Sequence, residues 1–136
     1  MRVIVHVDGG ARGNPGPAAA AAVVSDPDGQ VLDEAAEVLG VATNNVAEYR
    51  GLLLGLQRAQ QLGATEVEVV NDSELVAKQI SGEYRVKNAG LKPLFAETMA
   101  ALRTFGAWKV GSVRRESNER ADALVNEALD EALRRT

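Results

Sequence analysis

At Thr43 the apolar residues change period, and that switch limits the folds open to this chain more than any other feature. Before it, three segments separated by turn signals read as strands. Residues 2–8 alternate, and Gly9 to Pro17 (GGARGNPGP) reads as a turn on its Gly and Pro content. Ala18 to Ser25 is a second strand, small and buried. Asp26-Pro27-Asp28-Gly29 is a tight turn, and Gln30 to Leu39 is a third strand, so the first three form an antiparallel meander. After the switch, Tyr49, Leu52, Leu53, Leu56 and Ala59 share one face of a helix that Gly63 stops. Glu66 to Asn71 (EVEVVN) is a fourth strand reached only across that helix, which requires parallel pairing with the first.

The remainder alternates helix and strand. A short helix runs from about Ser73 to Ile80, and Asn88 to Phe105 is helical with Pro93 near its start. Trp108 to Arg115 is a fifth strand. Ser117 to Arg134 is a closing helix that turns Ala121, Leu124, Val125, Ala128 and Ala132 to the core. The predicted class is therefore α/β, in the order β-β-β-α-β-α-α-β-α. It implies a five-stranded mixed sheet, strands one to three antiparallel, four and five parallel to the first, flanked by helices.

Composition bounds the chemistry. A chain of 136 residues is expected to form one domain, residues 1–136, with no repeat or linker to divide it. Aromatics are 4% of the chain, so the core must be Val, Leu and Ala. No cysteine is present, which excludes disulfides, Cys-ligated zinc and a thiol nucleophile, and fits a reducing compartment such as the cytoplasm. The N-terminus starts a strand at once, and no apolar run approaches the roughly 18 residues of a membrane span. A net charge of −4 opposes tight non-specific binding to nucleic acid unless basic residues cluster or cations neutralise an acidic site.

Four acids stand out by position. Asp8 ends the first strand and Asp72 follows the fourth, and parallel neighbours bring such ends together. Glu48 lies one turn before Leu52, and Asp122 three residues before Val125, both at the margin of a core-facing stripe. Each also has a plainer duty: Asp8-Gly9 as turn opener, Asp72 as cap of the next helix, Glu48 in a capping box with Asn45, and Asp122 complementing a helix dipole. Those duties do not explain why all four fall where they can converge. Crowded carboxylates need cations, and all-oxygen ligation suits Mg²⁺ or Mn²⁺, two of which can support in-line phosphodiester cleavage. Other chemistries fit worse. The one histidine, His6, sits inside a strand, no G-x-S-x-G elbow exists, and the glycine stretch lacks a P-loop ending.

Four blocks in order, DGGARGNPGPA from Asp8, TNNVAEYRGLLLGL from Thr43, VNDSELV from Val70 and RESNERADALVNEA from Arg115, resemble the type I ribonuclease H family across nearly the whole chain. The resemblance implies a ribonuclease H-like fold and a metal-dependent endonuclease. Its substrate is the RNA strand of an RNA–DNA hybrid, and it leaves 5′-phosphate and 3′-hydroxyl ends. Asp8, Glu48, Asp72 and Asp122 are then catalytic acids and metal ligands, with two ions bound alongside substrate. Asn14, Asn44 and Asn45 resemble residues that read RNA 2′-hydroxyls, and Thr43 and Asn88 part of a DNA-phosphate pocket in which Val41 replaces a basic residue. The family's catalytic-loop histidine has no counterpart in GSVRRE, where Arg115 stands as a candidate phosphate contact or substitute. The basic helical protrusion is reduced to Ser81–Leu91, with Arg85, Lys87 and Lys92. Some members carry this domain at the head of a longer chain, including fusions to a phosphatase-like domain. The chain is expected to act as a monomer, with RNA duplex as a further candidate substrate. Two alternatives stay open at this point: another nuclease on the same sheet, and a non-catalytic nucleic-acid-binding module.

Overall fold

The computed structural model describes residues 1–135; Thr136 and the side chain of Arg115 lie outside the described residues. Five strands, β1 (Arg2–Ala11), β2 (Gly16–Ser25), β3 (Val31–Ala42), β4 (Glu66–Asn71) and β5 (Ala107–Ser112), form one sheet in the order β3-β2-β1-β4-β5. β1 and β3 run antiparallel to β2, whereas β4 is parallel to β1 and β5 to β4, as the periodicity required. Four helices complete the chain: α1 (Asn44–Gln61), α2 (Glu74–Ile80), α3 (Lys92–Leu102) and α4 (Glu119–Arg134), the last preceded by a 3₁₀ turn at Arg115–Asn118. Among the described residues, no helix is long and apolar enough to cross a membrane.

Alternation along the central strands divides the core between two faces. Val3, Val5 and Val7 of β1, with Val67 and Val69 of β4, point toward Tyr49, Leu52 and Leu56 of α1 and Leu102 of α3. On the opposite face, Ala19 and Ala21 of β2 receive Val125 and Leu129 of α4. The run Ala18–Ala22 is thus sealed from solvent, at 0–1% exposure. Its small side chains let both helices lie close to the same strand.

Several boundaries differ from expectation. The Gly-rich stretch is not wholly a turn. β1 continues through Gly9, Gly10 and Ala11, β2 begins at Gly16, and only residues 12–15 turn, closed by a 2.8 Å hydrogen bond from Arg12 N to Pro17 O. β3 runs on to Ala42 because a register shift between Ala18 and Ala19 accommodates Leu39 as a bulge before pairing resumes. α3 starts at Lys92 rather than Asn88, since Pro93 fits only the first turn of a helix. β5 covers Ala107–Ser112, and α4 begins at Glu119.

Gly9 stays in the strand for a steric reason. A Cβ on it would overlap the backbone of Ala47 and Glu48, and one on Gly51 would fall on the Asp8 carbonyl, so at these two points the α1 and β1 backbones touch. Gly9→Ala is expected to destabilise the protein by about 1–3 kcal/mol, the usual cost of overpacking, because only backbone can yield. Gly10→Ala meets nothing within 4 Å and should stay within about 0.5 kcal/mol of wild type in urea unfolding.

Candidate active site

The close approach of α1 to β1 sets Glu48 beside Asp8, which lies inside β1, three residues before its end at Ala11, and does not end the strand as expected. Asp72 arrives from β4, one residue past its last paired position, and Asp122 from the first turn of α4. All four acids border one open cleft of ≈ 380 Å³, whose lining also includes Arg12 and Asn44. Asp8, Glu48 and Asp72 further enclose a space beneath it of ≈ 10 Å³, about one water in size.

Three of the four plainer duties fail on the local geometry. Asp8 is not a turn opener, since it lies within β1 opposite Ala21. Asp72 does not cap α2, whose N-cap is Ser73, its hydroxyl accepting from Val76 N at 3.2 Å. Glu48 is in no capping box with Asn45, because α1 is capped by Thr43, whose hydroxyl accepts from Val46 N. Asp122 does sit in a first turn, where it can serve the helix dipole and the cleft together.

Electrostatics register the crowding. Asp8 is 7% exposed, and its pKa is pushed up to about 8. Burial is the largest cause and the Asp72 carboxylate the next. The Gly9 N–H opposes the rise, and Asp122 adds to it through its charge and a hydrogen bond. Only oxygen donors face the cleft from these acids, a set suited to hard divalent cations. Among the described residues, no three Asp, Glu, His or Cys side chains close into a coordination cage of their own.

The amides expected to read substrate interlock at the cleft's edge. Asn14 Oδ1 accepts from Asn44 N at 3.0 Å, and Asn44 Oδ1 accepts from Ala11 N at 2.8 Å, tying the residue 12–15 turn to the start of α1. Asn45 lies one residue further into α1. Asn88 opens the turn before α3, its Oδ1 accepting from Gly90 N at 2.7 Å. Among the described residues, Asn14, Thr43, Asn45 and Asn88 fall outside the cleft lining. Arg115 starts the 3₁₀ turn, but its side chain lies outside the described residues. His6 is a strand residue as expected, paired with Val23 and Val70, and burial lowers its pKa against the opposing pull of Glu68.

Sequence reasoning overlooked several residues. Arg12 borders the cleft and pairs with Asp130 of α4 at 2.7 Å. Asn71, beside Asp72, donates to Gly111 O at 2.9 Å and accepts from Ser73 N at 2.7 Å, fixing the chain where it leaves β4. Tyr49 Oη donates to Gln79 Oε1 at 2.6 Å in the core, joining the helix that carries Glu48 to the one that follows Asp72. For Asn71 and Tyr49 the available signal was a polar side chain directly beside an acid, whereas Arg12 carried none.

Comparison with known proteins agrees with this geometry. A family model described as reverse transcriptase-like matches residues 6–128. The chain is 47% identical to the bifunctional protein Rv2228c of Mycobacterium tuberculosis over 97% of its own length and 36% of that relative. It is 42% identical to ribonuclease HI of Halobacterium salinarum, covering 96% of the chain and 66% of the relative. Thus the chain spans about a third of the mycobacterial relative it matches and about two-thirds of the halobacterial one. A ribonuclease H of Pseudomonas savastanoi pv. phaseolicola is 30% identical and is covered over 93% of its length. Among solved structures, RNase H1 of Halobacterium salinarum superposes with a TM-score of 0.94 at 41% identity, covering 96% of this chain and 99% of that one. LC11-RNase H1, solved in complex with an RNA/DNA hybrid, superposes with a TM-score of 0.92 at 43% identity, with the same coverage. Sheet order and acidic cleft together define a ribonuclease H-like fold. Within that class, the chain belongs to the type I ribonuclease H family.

The raised pKa of Asp8 makes stability depend on pH in the absence of divalent metal. Between the ordinary carboxylate value of 3.8 and about 8, the folded protein keeps a proton on Asp8 that the unfolded chain has released. Stability therefore falls as pH rises through that window, and the loss is complete above it. Asp8→Asn removes the titrating group, so in chelator its Tm should gain on wild type between pH 5 and pH 8. A constant difference between the two melting curves across that range would contradict the assignment.

Proposed function

We propose that residues 1–136 act as one ribonuclease H domain, a metal-dependent endonuclease that hydrolyses the RNA strand of an RNA–DNA hybrid and leaves 5′-phosphate and 3′-hydroxyl ends. The observation that carries this reading is the meeting of Asp8, Glu48, Asp72 and Asp122, from four separate elements, on one cleft. The likeness to LC11-RNase H1, solved with a hybrid, supports the substrate.

On this reading the four carboxylates hold a pair of Mg²⁺ or Mn²⁺ ions, and their all-oxygen donor set and the suppressed ionisation of Asp8 fit that duty. Bound there, such ions supply an acidified water and charge neutralisation at the phosphoryl and departing oxygens. Asp8 must shed its proton for the cleft to reach full negative charge. Asn14, Asn44 and Asn45 offer amides to RNA 2′-hydroxyls across the minor groove, and Thr43 and Asn88 border the neighbouring DNA phosphate. Arg12, and Arg115 after β5, supply positive charge that steers the phosphate backbone. In the reaction, water oxygen bonds to phosphorus and the bond from phosphorus to the 3′-oxygen breaks. That oxygen takes up a proton, and the phosphate stays on the 5′ end of the downstream fragment. The chain is proposed to work as a monomer in the cytoplasm.

The decisive experiment is cleavage of a strand-labelled hybrid in Mg²⁺ or Mn²⁺, with and without chelator, beside RNA duplex and DNA duplex. We expect cuts in the RNA strand of the hybrid alone, stopped by chelator, and Asp72→Asn should reduce turnover to background while its circular dichroism matches wild type. Near-normal turnover of Asp72→Asn would remove that residue from the site. Equal cutting of RNA duplex would reassign the substrate, and absence of any metal-dependent cleavage would favour a binding module.

A further inference from the structure

Asn118 occupies the N-cap position of α4, where asparagine is among the residues best suited to bond the helix's own N–H groups. It makes no such bond. Its side chain is turned instead onto β1, and Nδ2 donates to Val7 O at 2.8 Å, across 111 residues of sequence. The residue is 1% exposed, so this contact is shielded from water. The other amide atom, Oδ1, is buried without a hydrogen-bond partner, a net cost to folding that a capping arrangement would avoid.

Both ends of this contact adjoin acids of the cleft. Val7 precedes Asp8, and it is the first residue past the stretch of β1, Arg2 to His6, that pairs with β4. Asp122 lies four residues after Asn118, one helical turn along the same side of α4. Asp8 and Asp122 line the same cleft. Apolar packing of Val125 and Leu129 on Ala19 and Ala21 seats α4 on β2, and Arg120, paired with Glu34 of β3 at 2.6 Å, ties the exposed side of its first turn to the sheet, while Asn118 ties the buried side to β1.

We infer that Asn118 is a positioning residue of the acidic cleft: its amide fixes the first turn of α4, and with it Asp122, against the end of β1 that carries Asp8. This inference rests on the reading of the cleft as a divalent-metal site. It predicts that loss of the Val7 contact weakens metal binding even when the helix start is preserved.

Asn118→Ser makes that separation, because serine is a good N-cap but is too short to keep the amide's reach to Val7 O. Mn²⁺ binding would be titrated by calorimetry on the full chain without nucleic acid, beside thermal melting in chelator and hybrid cleavage across Mn²⁺ concentrations. Asn118→Ser is expected to melt near wild type and to bind Mn²⁺ about tenfold more weakly or worse, in the range seen when groups supporting metal ligands are removed. Its cleavage should recover toward wild type as Mn²⁺ approaches saturation, with KM for hybrid little changed. Leu102→Ala, which loosens the core under α3 away from the acids, serves as the stability control and should lower Tm without weakening Mn²⁺ binding. Wild-type Mn²⁺ affinity in Asn118→Ser, or equal weakening in Leu102→Ala, would overturn the inference while leaving the proposed function intact. If the wild type binds Mn²⁺ but cuts no hybrid, the proposed function falls, and the titrations still decide the role of Asn118.

Discussion

Backbone contact between α1 and β1 is the constraint on which the rest of the molecule depends. Side chains normally hold a helix about 10 Å from a sheet, and here Gly9 and Gly51 remove them where Asp8 and Glu48 must meet. Gly55 extends the seam, since a Cβ there would come within 2.6 Å of Val5 and 2.8 Å of Val7. Once α1 is seated this low, the parallel pairing of β4 with β1 brings the turn carrying Asp72 to the same end of the sheet. The alanines of β2 allow α4 to approach from the other face with Asp122. Small residues thus determine where the charges go.

Gathering acids in this way works against folding. Each carboxylate added to a buried cluster raises the cost of ionising the others, and on Asp8 the charges of Asp72 and Asp122 add to the effect of burial. Repulsion alone would spread the elements apart, so their ends must be tied close to the acids. Three buried amides meet that need. Asn71 links the exit of β4 to β5, Gln79 accepts from Tyr49 between α2 and α1, and Asn118 joins α4 to β1. Neutral hydrogen bonds suit this task because they hold with or without cations, whereas an added Lys or Arg would compete with the metal for the same oxygens.

Much of this was legible in the sequence, for reasons that particular residues make clear. The change of period at Thr43 gave the parallel pairing of β4 with β1, because a strand reached across a helix cannot return as a hairpin. The four acids were visible by their place at strand ends and core margins, and the structure brings all of them to one cleft. The Gly-rich stretch was misjudged. Local propensity sees Gly9 and Gly10 as turn formers, while their place in β1 depends on a helix forty residues away. Pro93 marked the start of α3, but the pattern alone placed it four residues early. Asn118 was illegible for a similar reason: the string SNERAD reads as a helix start, and only tertiary structure turns that amide from its own helix to Val7.

A chain of net charge −4 with an acidic cleft has little long-range attraction for a polyanion, so any grip on nucleic acid must be local and conditional. The amides of Asn14 and Asn44 make an uncharged rim, held in register because Asn14 Oδ1 accepts from Asn44 N and Asn44 Oδ1 from Ala11 N. Arg12 lines the same cleft as the acids, but its charge is engaged by Asp130 at 2.7 Å. Because that pair is partly exposed, its energy is small, and a phosphate oxygen entering the cleft can compete for the guanidinium at little cost. On the proposed function, two divalent cations would cancel the charge of the four carboxylates, so metal loading would favour binding of the phosphate backbone. On the proposed function, discrimination would rest on shape and hydroxyl contacts at the rim more than on bulk charge, which is the demand a hybrid duplex places on its reader.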